Sequence, residues 1–402
     1  MAVATQIKAS LQEWRRGATP VILESLTKTV IILGSLAAFS PLGAAIEFWR
    51  GYLVPELAFS SEYTSNARSG AQGGEDWINT FSPSIQYDSF GSTWATQVGL
   101  GMDIVRYTEQ EREDENVKLS ASLNYPNGIS LPYSFSLSTS INDTTRGDPE
   151  FGRITRTRRY SLSNSGSYNL TSRYTLSSGF SYSLNQPLDE SNAGGRSDTT
   201  SFSVPVNFNY KYSEALSYGL GYQFGQQESN ASVNASETTT HALFGNVSGQ
   251  ILPLVSAELS LGAQMAQSDA GSDTGPYASG GLTWQATSLT SVSLNLSAGF
   301  QTTTGNRTGQ QFTLNTIVNH QFAHNLSGNL SAGIRTNDYS SDGDIGDSDR
   351  KDRSWDIGAG LSTSIYEHTR LSLSLNYQSN DSDQAGSQFD AYSIRVSASR
   401  PF

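Results

Sequence analysis

Four histidines, His241, His320, His324 and His368, and no cysteine occur in the 402 residues. Thiolate metal sites, disulfides and cysteine nucleophiles are therefore excluded. His320 and His324 are four positions apart, which on a strand separates them by about 13 Å, too far for one metal ion. A Ser-His-acid site needs converging geometry, and serine is too abundant here for any one to stand out. His324 and His368 fall in short turns, a poor setting for a buried site. The acid-rich stretch from Asp342 to Asp352 lacks the ligand spacing of a calcium loop. No enzyme activity, cofactor or metal is expected. The densest basic group is Arg153, Arg156, Arg158 and Arg159. Such a cluster can hold lipopolysaccharide phosphates or an anionic polymer by bidentate contacts. Local pairing with nearby acidic loops is the favoured alternative.

The elements that would carry these residues are visible in composition and period. The chain is 36% hydrophobic but only 15% charged, where a usual globular domain has about 25% charged residues. Net charge is -12, and no basic face of the kind that binds nucleic acid is present. Nineteen Tyr, 17 Phe and 6 Trp are too many for a disordered chain. No run of about 20 apolar residues interrupts the body, which excludes a multi-span helical membrane protein.

From Tyr52 onward the residues alternate. Phe202, Val204, Val206, Phe208 and Tyr210 are separated by Ser203, Pro205, Asn207 and Asn209; Leu371, Leu373, Leu375 and Tyr377 by Ser372, Ser374 and Asn376. Strand side chains point alternately to opposite faces, so each segment has one apolar and one polar face. The pattern recurs in about eighteen segments, from 52–63, 77–88, 92–106 and 116–125 through to 369–379 and 389–402. Short spacers, such as Phe90-Gly91 and Leu252-Pro253, alternate with long polar ones, such as 64–76, 107–115, 143–154, 268–275 and 339–351. Short turns at one end and long loops at the other predict an all-β fold, a transmembrane antiparallel up-and-down β-barrel of about 18 strands, with 16 as the alternative. Its long loops would be extracellular and its short turns periplasmic. Trp94, Tyr133, Tyr174, Tyr182, Tyr212, Trp284, Trp355 and Tyr377, near strand ends, suit interfacial girdles.

The two ends carry export signals. Lys28, the apolar run Val30–Ala38 and the small residues Gly43-Ala44-Ala45 read as a secretory signal peptide over 1–45 with an extended n-region, leaving 46–402 as the barrel. The last segment places Tyr392, Ile394, Val396, Ala398, Arg400 and Phe402 on one face. It resembles the C-terminal strand of bacterial outer-membrane proteins that the barrel-assembly machinery reads, with Arg400 a departure that can snorkel at the rim.

The first hairpin has the most specific motif: Pro55-Glu56-Leu57, then Tyr63-Thr64-Ser65-Asn66, then Asp76-Trp77-Ile78 and Pro83. It resembles the opening of the putative β-barrel porin 2 family of Gram-negative outer-membrane proteins, with Ser65 where an Asp is common. The resemblance implies an outer-membrane barrel and, because members occur in exopolysaccharide gene clusters, partnership with polysaccharide-export components. Outer-membrane lipids and lipopolysaccharide are the other expected partners.

The polar faces would line a lumen, since barrels of 16–18 strands leave an aqueous channel. Neutral inward candidates are Gln97, Asn207, Asn209, Gln223, Gln264, Asn295 and Asn329. Charged ones are Asp103, Lys118, Arg159, Arg173, Lys211, Glu258, Arg335, Asp356 and Arg395. Scattered charges of both signs form no ring of the kind that sets sharp ion selectivity. The expected function is a channel for hydrated sugars or exopolysaccharide. The alternative is a surface-display barrel whose loops bind envelope or extracellular components.

Overall fold

The computed structural model describes residues 45–71, 73–91, 93–126, 131–149, 152–189, 197–230, 236–268, 271–302, 308–339, 350–365, 368–384 and 386–402. The expected leader, apart from Ala45, and most of the acid-rich loop after Asp342 lie outside the described residues.

A three-residue strand, β1 (Ile46–Phe48), precedes eighteen long ones. These are β2 (Gly51–Thr64), β3 (Asp76–Phe90), β4 (Ala95–Tyr107), β5 (Arg112–Tyr125), β6 (Tyr133–Asp148), β7 (Arg153–Asn169), β8 (Tyr174–Pro187), β9 (Thr199–Lys211) and β10 (Leu216–Ser229). They continue as β11 (Ser236–Leu252), β12 (Val255–Ser268), β13 (Gly271–Thr287), β14 (Thr290–Thr302), β15 (Thr308–Ala323), β16 (Leu326–Tyr339), β17 (Arg350–Ile365), β18 (Thr369–Ser382) and β19 (Phe389–Pro401). Each pairs antiparallel with the next, and β19 returns to β2, from Ser393 opposite Thr64 to Pro401 opposite Glu56. The sheet is a closed barrel. Below Glu56, where β19 has run out, β1 pairs with the start of β2 (Ile46 opposite Leu53, Phe48 opposite Gly51) and covers the edge that remains.

The registers carry one parity around the wall. Phe59 faces Phe81, Ile85 faces Leu100, and Leu100 faces Leu119. On the far side Leu314 faces Ile334, and Ile357 faces Tyr377. These side chains point outward, and among the described residues no second layer covers them: Leu220 is 68% exposed and Leu330 61%. Aromatic pairs bound this apolar belt. At the long-loop end Tyr63 meets Trp77 at 5.3 Å and Trp355 meets Tyr377 at 4.9 Å. At the short-turn end Trp94 meets Tyr125 at 4.4 Å and Tyr174 meets Tyr210 at 5.2 Å. Trp77 and Tyr87 lie ten positions apart on β3. At strand rise and the usual tilt of roughly 35–45° this gives a belt about 25 Å tall, the height of a transmembrane barrel's apolar band.

Several spacers expected as long loops are largely strand. β4 reaches Tyr107 and β5 begins at Arg112, leaving only 108–111 of the expected 107–115. β6 runs to Asp148 and β7 starts at Arg153; β12 ends at Ser268 and β13 starts at Gly271. Alternation detects strands that are apolar on one face. Backbone pairing does not require that, so polar hairpins continue the ladder past the belt.

The apolar belt yields a direct expectation. Leu330→Arg places a charge mid-strand on the outward face. In lipid vesicles it should lower barrel stability by about 2–4 kcal/mol, read by denaturant unfolding. An unchanged midpoint would mean that this face does not meet hydrocarbon.

Candidate functional site: the inner wall and mouth

The inner wall is built from the opposite parity. From β6 to β7 it is a carpet of serines joined across the strands: Ser134 with Ser167, Ser136 with Ser165, Ser138 with Ser163, and Ser140 with Ser161, oxygens 2.6–2.7 Å apart. Elsewhere an amide of one strand lies over a glycine of the next. A Cβ added at Gly281 would lie 2.8 Å from the Asn295 amide oxygen, and one at Gly219 2.5 Å from that of Asn209. The amides are thereby held flat along the wall.

The neutral candidates Gln97, Asn207, Asn209, Gln223, Gln264, Asn295 and Asn329 all stand on this inner parity. The structure places most charged candidates there too, and several are paired. Lys118 forms an ion pair with Asp103, which also accepts a hydrogen bond from Ser82 at 2.7 Å. Arg395 donates to Glu62 through Nε at 2.8 Å. Lys211, at the short-turn rim, meets Glu214 at 2.6 Å. Arg159, Glu258, Arg335 and Asp356 are exposed and sit on different strands. Arg173 departs from the expectation. It lies in the turn before β8, and its guanidinium reaches Tyr210 Oη at 3.4 Å on the outer face. The turn ends the alternation, so parity no longer says where its side chain goes. His241 and His320 stand on the outer parity, where Nδ1 meets Tyr222 Oη at 2.7 Å and Thr290 Oγ1 at 2.9 Å respectively. Among the described residues no three His, Asp or Glu converge closely enough to hold a metal ion.

The long-loop end is folded over. The β5–β6 ladder stops at Lys118 opposite Asn142. Beyond it the β6–β7 ribbon leans across β4 and β5. Tyr107 Oη donates to the Thr145 carbonyl at 3.3 Å, Thr145 donates to Asn116 at 3.1 Å, and Arg112 donates to the Ile154 carbonyl at 3.0 Å. The loop between β2 and β3 joins the same cluster. Ala67 is buried with Val105, Tyr107 and Ile154, and the Ala71 N–H donates to the Gly386 carbonyl at 3.1 Å. Fully buried Asp76 accepts three backbone N–H bonds from Thr108, Glu109 and Gln110 at 2.8–3.1 Å, which fixes the β4–β5 turn.

The arginine cluster belongs to this mouth. Asp143 is buried, with Arg158 Nε at 2.6 Å, Arg156 Nη2 at 3.2 Å and the Val117 N–H at 3.5 Å. Burial disfavours its carboxylate. The Arg158 hydrogen bond and charge, the Val117 N–H and the Arg156 charge outweigh that and hold its pKa below the ordinary carboxylate value. Local acidic pairing, rather than a free anion site, accounts for Arg156 and Arg158.

The residues alone missed two aromatics on the inner wall, Phe244 and Tyr277. Their signal was phase: each falls on the polar parity of its strand, among Thr238, Thr240 and Ala242 or among Ser279, Gly281 and Thr283.

Residues 258–400 match the family described as putative beta-barrel porin 2. The match runs from within β12 to the end of β19, whereas the motif resemblance lay on β2 and β3. The chain is a closed β-barrel whose C-terminal part resembles that porin family. No curated protein matches it. Among solved structures it is similar to the ferric citrate transporter FecA in its unliganded form, with 9% identity, 87% of this chain and 78% of that chain covered, and a TM-score of 0.48. It is also similar to Pseudomonas aeruginosa OpdK with vanillate (14% identity, 87% and 98% covered, TM-score 0.46). Pseudomonas aeruginosa OccK2 in complex with glucuronate matches at 12% identity with the same coverage and a TM-score of 0.46.

The mouth makes a prediction with a definite sign. Because the folded pKa of Asp143 is lowered, its contribution is complete above the unfolded value near 3.9 and is lost as pH falls through the lower folded value. Asp143→Ala removes it at every pH. The cost should be at most about 3 kcal/mol, the low end for a buried pair, since both arginines keep some access to water. Hydrogen exchange of the 143–158 ribbon should accelerate in the variant at neutral pH, and in the wild type only in acid. Exchange that is indifferent to both changes would remove Asp143 as the latch.

Proposed function

We propose that this barrel spans the outer membrane of a Gram-negative bacterium as a passive channel for hydrated neutral solutes, namely sugars or a neutral exopolysaccharide. The observation that carries this reading is the inner wall: hydroxyls and flattened amides over most strands, with its ions largely paired or dispersed. Such a wall exchanges hydrogen bonds with a hydrated solute without trapping it at one charge. The outward belt suits hydrocarbon, and a closed ladder leaves no unpaired backbone edge within it. Barrel-assembly machinery and outer-membrane lipids, including lipopolysaccharide, are the partners this location requires. Polysaccharide-export components are those the family resemblance suggests.

A second reading is favoured by one observation, the anchored segment 65–71 and β6–β7 ribbon at the mouth. If they seal the lumen, the barrel displays its loops to envelope or extracellular ligands.

Planar bilayers separate the two. A channel should give steady conductance with weak cation-to-anion discrimination, and proteoliposomes should swell in neutral oligosaccharide. A barrel that is folded by its gel shift yet carries no current and admits no sugar would leave the display reading.

A further inference from the structure

One row of inward residues crosses five neighbouring strands. Asn207 on β9 faces Gly221 on β10, which faces Phe244 on β11; Phe244 faces Gly262 on β12, which faces Tyr277 on β13. The two glycines leave a notch. The Phe244 ring lies over Gly221, and a Cβ at Gly262 would meet Phe244 Cβ at 2.7 Å. Tyr277 reaches back over Gly262 and stacks on Phe244, centroids 4.9 Å apart and planes at 26°. Its hydroxyl donates to Gln223 Oε1 at 2.9 Å, three strands away. Tyr277 therefore lies flat along the wall. It covers Phe244, which is 5% exposed, and stays half-buried itself.

A cavity of about 360 Å³ opens against this platform. Around the ring its wall presents Gln223, Gln227, Thr240, Ser279 and Ser297, and among the described residues no ionisable group other than Tyr277 itself. The volume is in the range of small-ligand sites, and the lining combines an aromatic surface with a few placed polar groups. Phe244 and Tyr277 are inward aromatics on strands whose other inward residues are mainly small or polar.

We infer that Tyr277 is the platform of a saccharide subsite in the lumen, which takes one sugar ring of a neutral chain. The π-face carries negative charge and attracts the weakly positive C–H face of a pyranose. Amides and hydroxyls each offer donor and acceptor atoms, which matches the vicinal hydroxyls at the ring's edge. The uncharged lining favours neutral over anionic sugars. The Gln223 bond holds the platform in place, so Gln223 is a positioning residue. This inference rests on the channel reading and gives that channel a point of selectivity.

The test is calorimetric titration of the folded full-length barrel in detergent with a neutral linear glucose hexasaccharide and with its uronate counterpart. The wild type should bind the neutral chain and prefer it over the uronate. Tyr277→Ala should weaken binding about tenfold, and Tyr277→Phe, which keeps the ring, by only about twofold to threefold. Ser279→Leu fills the cavity while leaving both rings, and should abolish binding even if Tyr277→Ala misfolds. Absence of neutral-sugar binding in the wild type, or equal affinities in wild type, Tyr277→Ala and Ser279→Leu, overturns the subsite. Binding is read without current. A conducting barrel that binds no sugar therefore sinks the subsite alone, and a binding barrel that does not conduct sinks the channel reading alone.

Discussion

The closure of the hydrogen-bonded ladder is the constraint on which the other features depend. A sheet whose outer side chains are apolar and unsheltered cannot leave backbone groups open at an edge. The β19–β2 seam removes that edge, and β1 extends the cover below Pro401. Closure also divides the residues, because once the register is set at one seam, parity sends every second side chain inward. The serine carpet, the amides over glycine and the aromatic belt are consequences of that one geometric fact.

Where the ladder parts, side chains take its place. β6 leaves β5 after Asn142, and the Val117 N–H then finds the Asp143 carboxylate. β13 and β14 separate above Ala278 and Ala298, and there Gln264 Oε1 accepts the Phe300 N–H at 3.1 Å. At the β4–β5 turn Asp76 accepts three N–H groups at once. Buried backbone donors must find acceptors, so each departure from the cylinder is marked by a polar side chain that looks out of place in its strand. Asp143 shows this well. Its parity is that of Ile141 and Leu137, yet it is buried because the ribbon that carries it has left the barrel wall.

The lumen then differs in character around its circumference. β6 and β7 present hydroxyls paired by one hydrogen bond each, which leaves one donor and several acceptor sites of every pair open to a solute. β10 to β13 present the aromatic pair in its glycine notch with amides on both sides. Some charges are drawn off into pairs, such as Lys118 with Asp103 and Arg395 with Glu62, and others are dispersed over different strands. A wall of this kind discriminates through shape and hydrogen bonding more than through field, which is the physical basis for reading it as a path for neutral solutes.

Period two and the alternation of short and long spacers are local properties of a chain, and they were legible without coordinates. They placed the eighteen strands, the belt from Trp94 and Tyr133 to Trp355 and Tyr377, and the inner parity of residues such as Asn207, Gln223 and Asn295. Strand extent was less legible, because polar segments such as 112–115 pair as well as apolar ones do. Arg173 was expected to face inward but lies in a turn and reaches Tyr210, because a turn breaks the parity that the strands obey. The fate of the arginine cluster was open between two readings until the β6–β7 ribbon brought Arg156 and Arg158 onto Asp143. The stacking of Phe244 and Tyr277 depends on two glycines, Gly221 and Gly262, in other strands. Alternation along one strand says which face a residue takes. Only the register between strands says which residue it meets there.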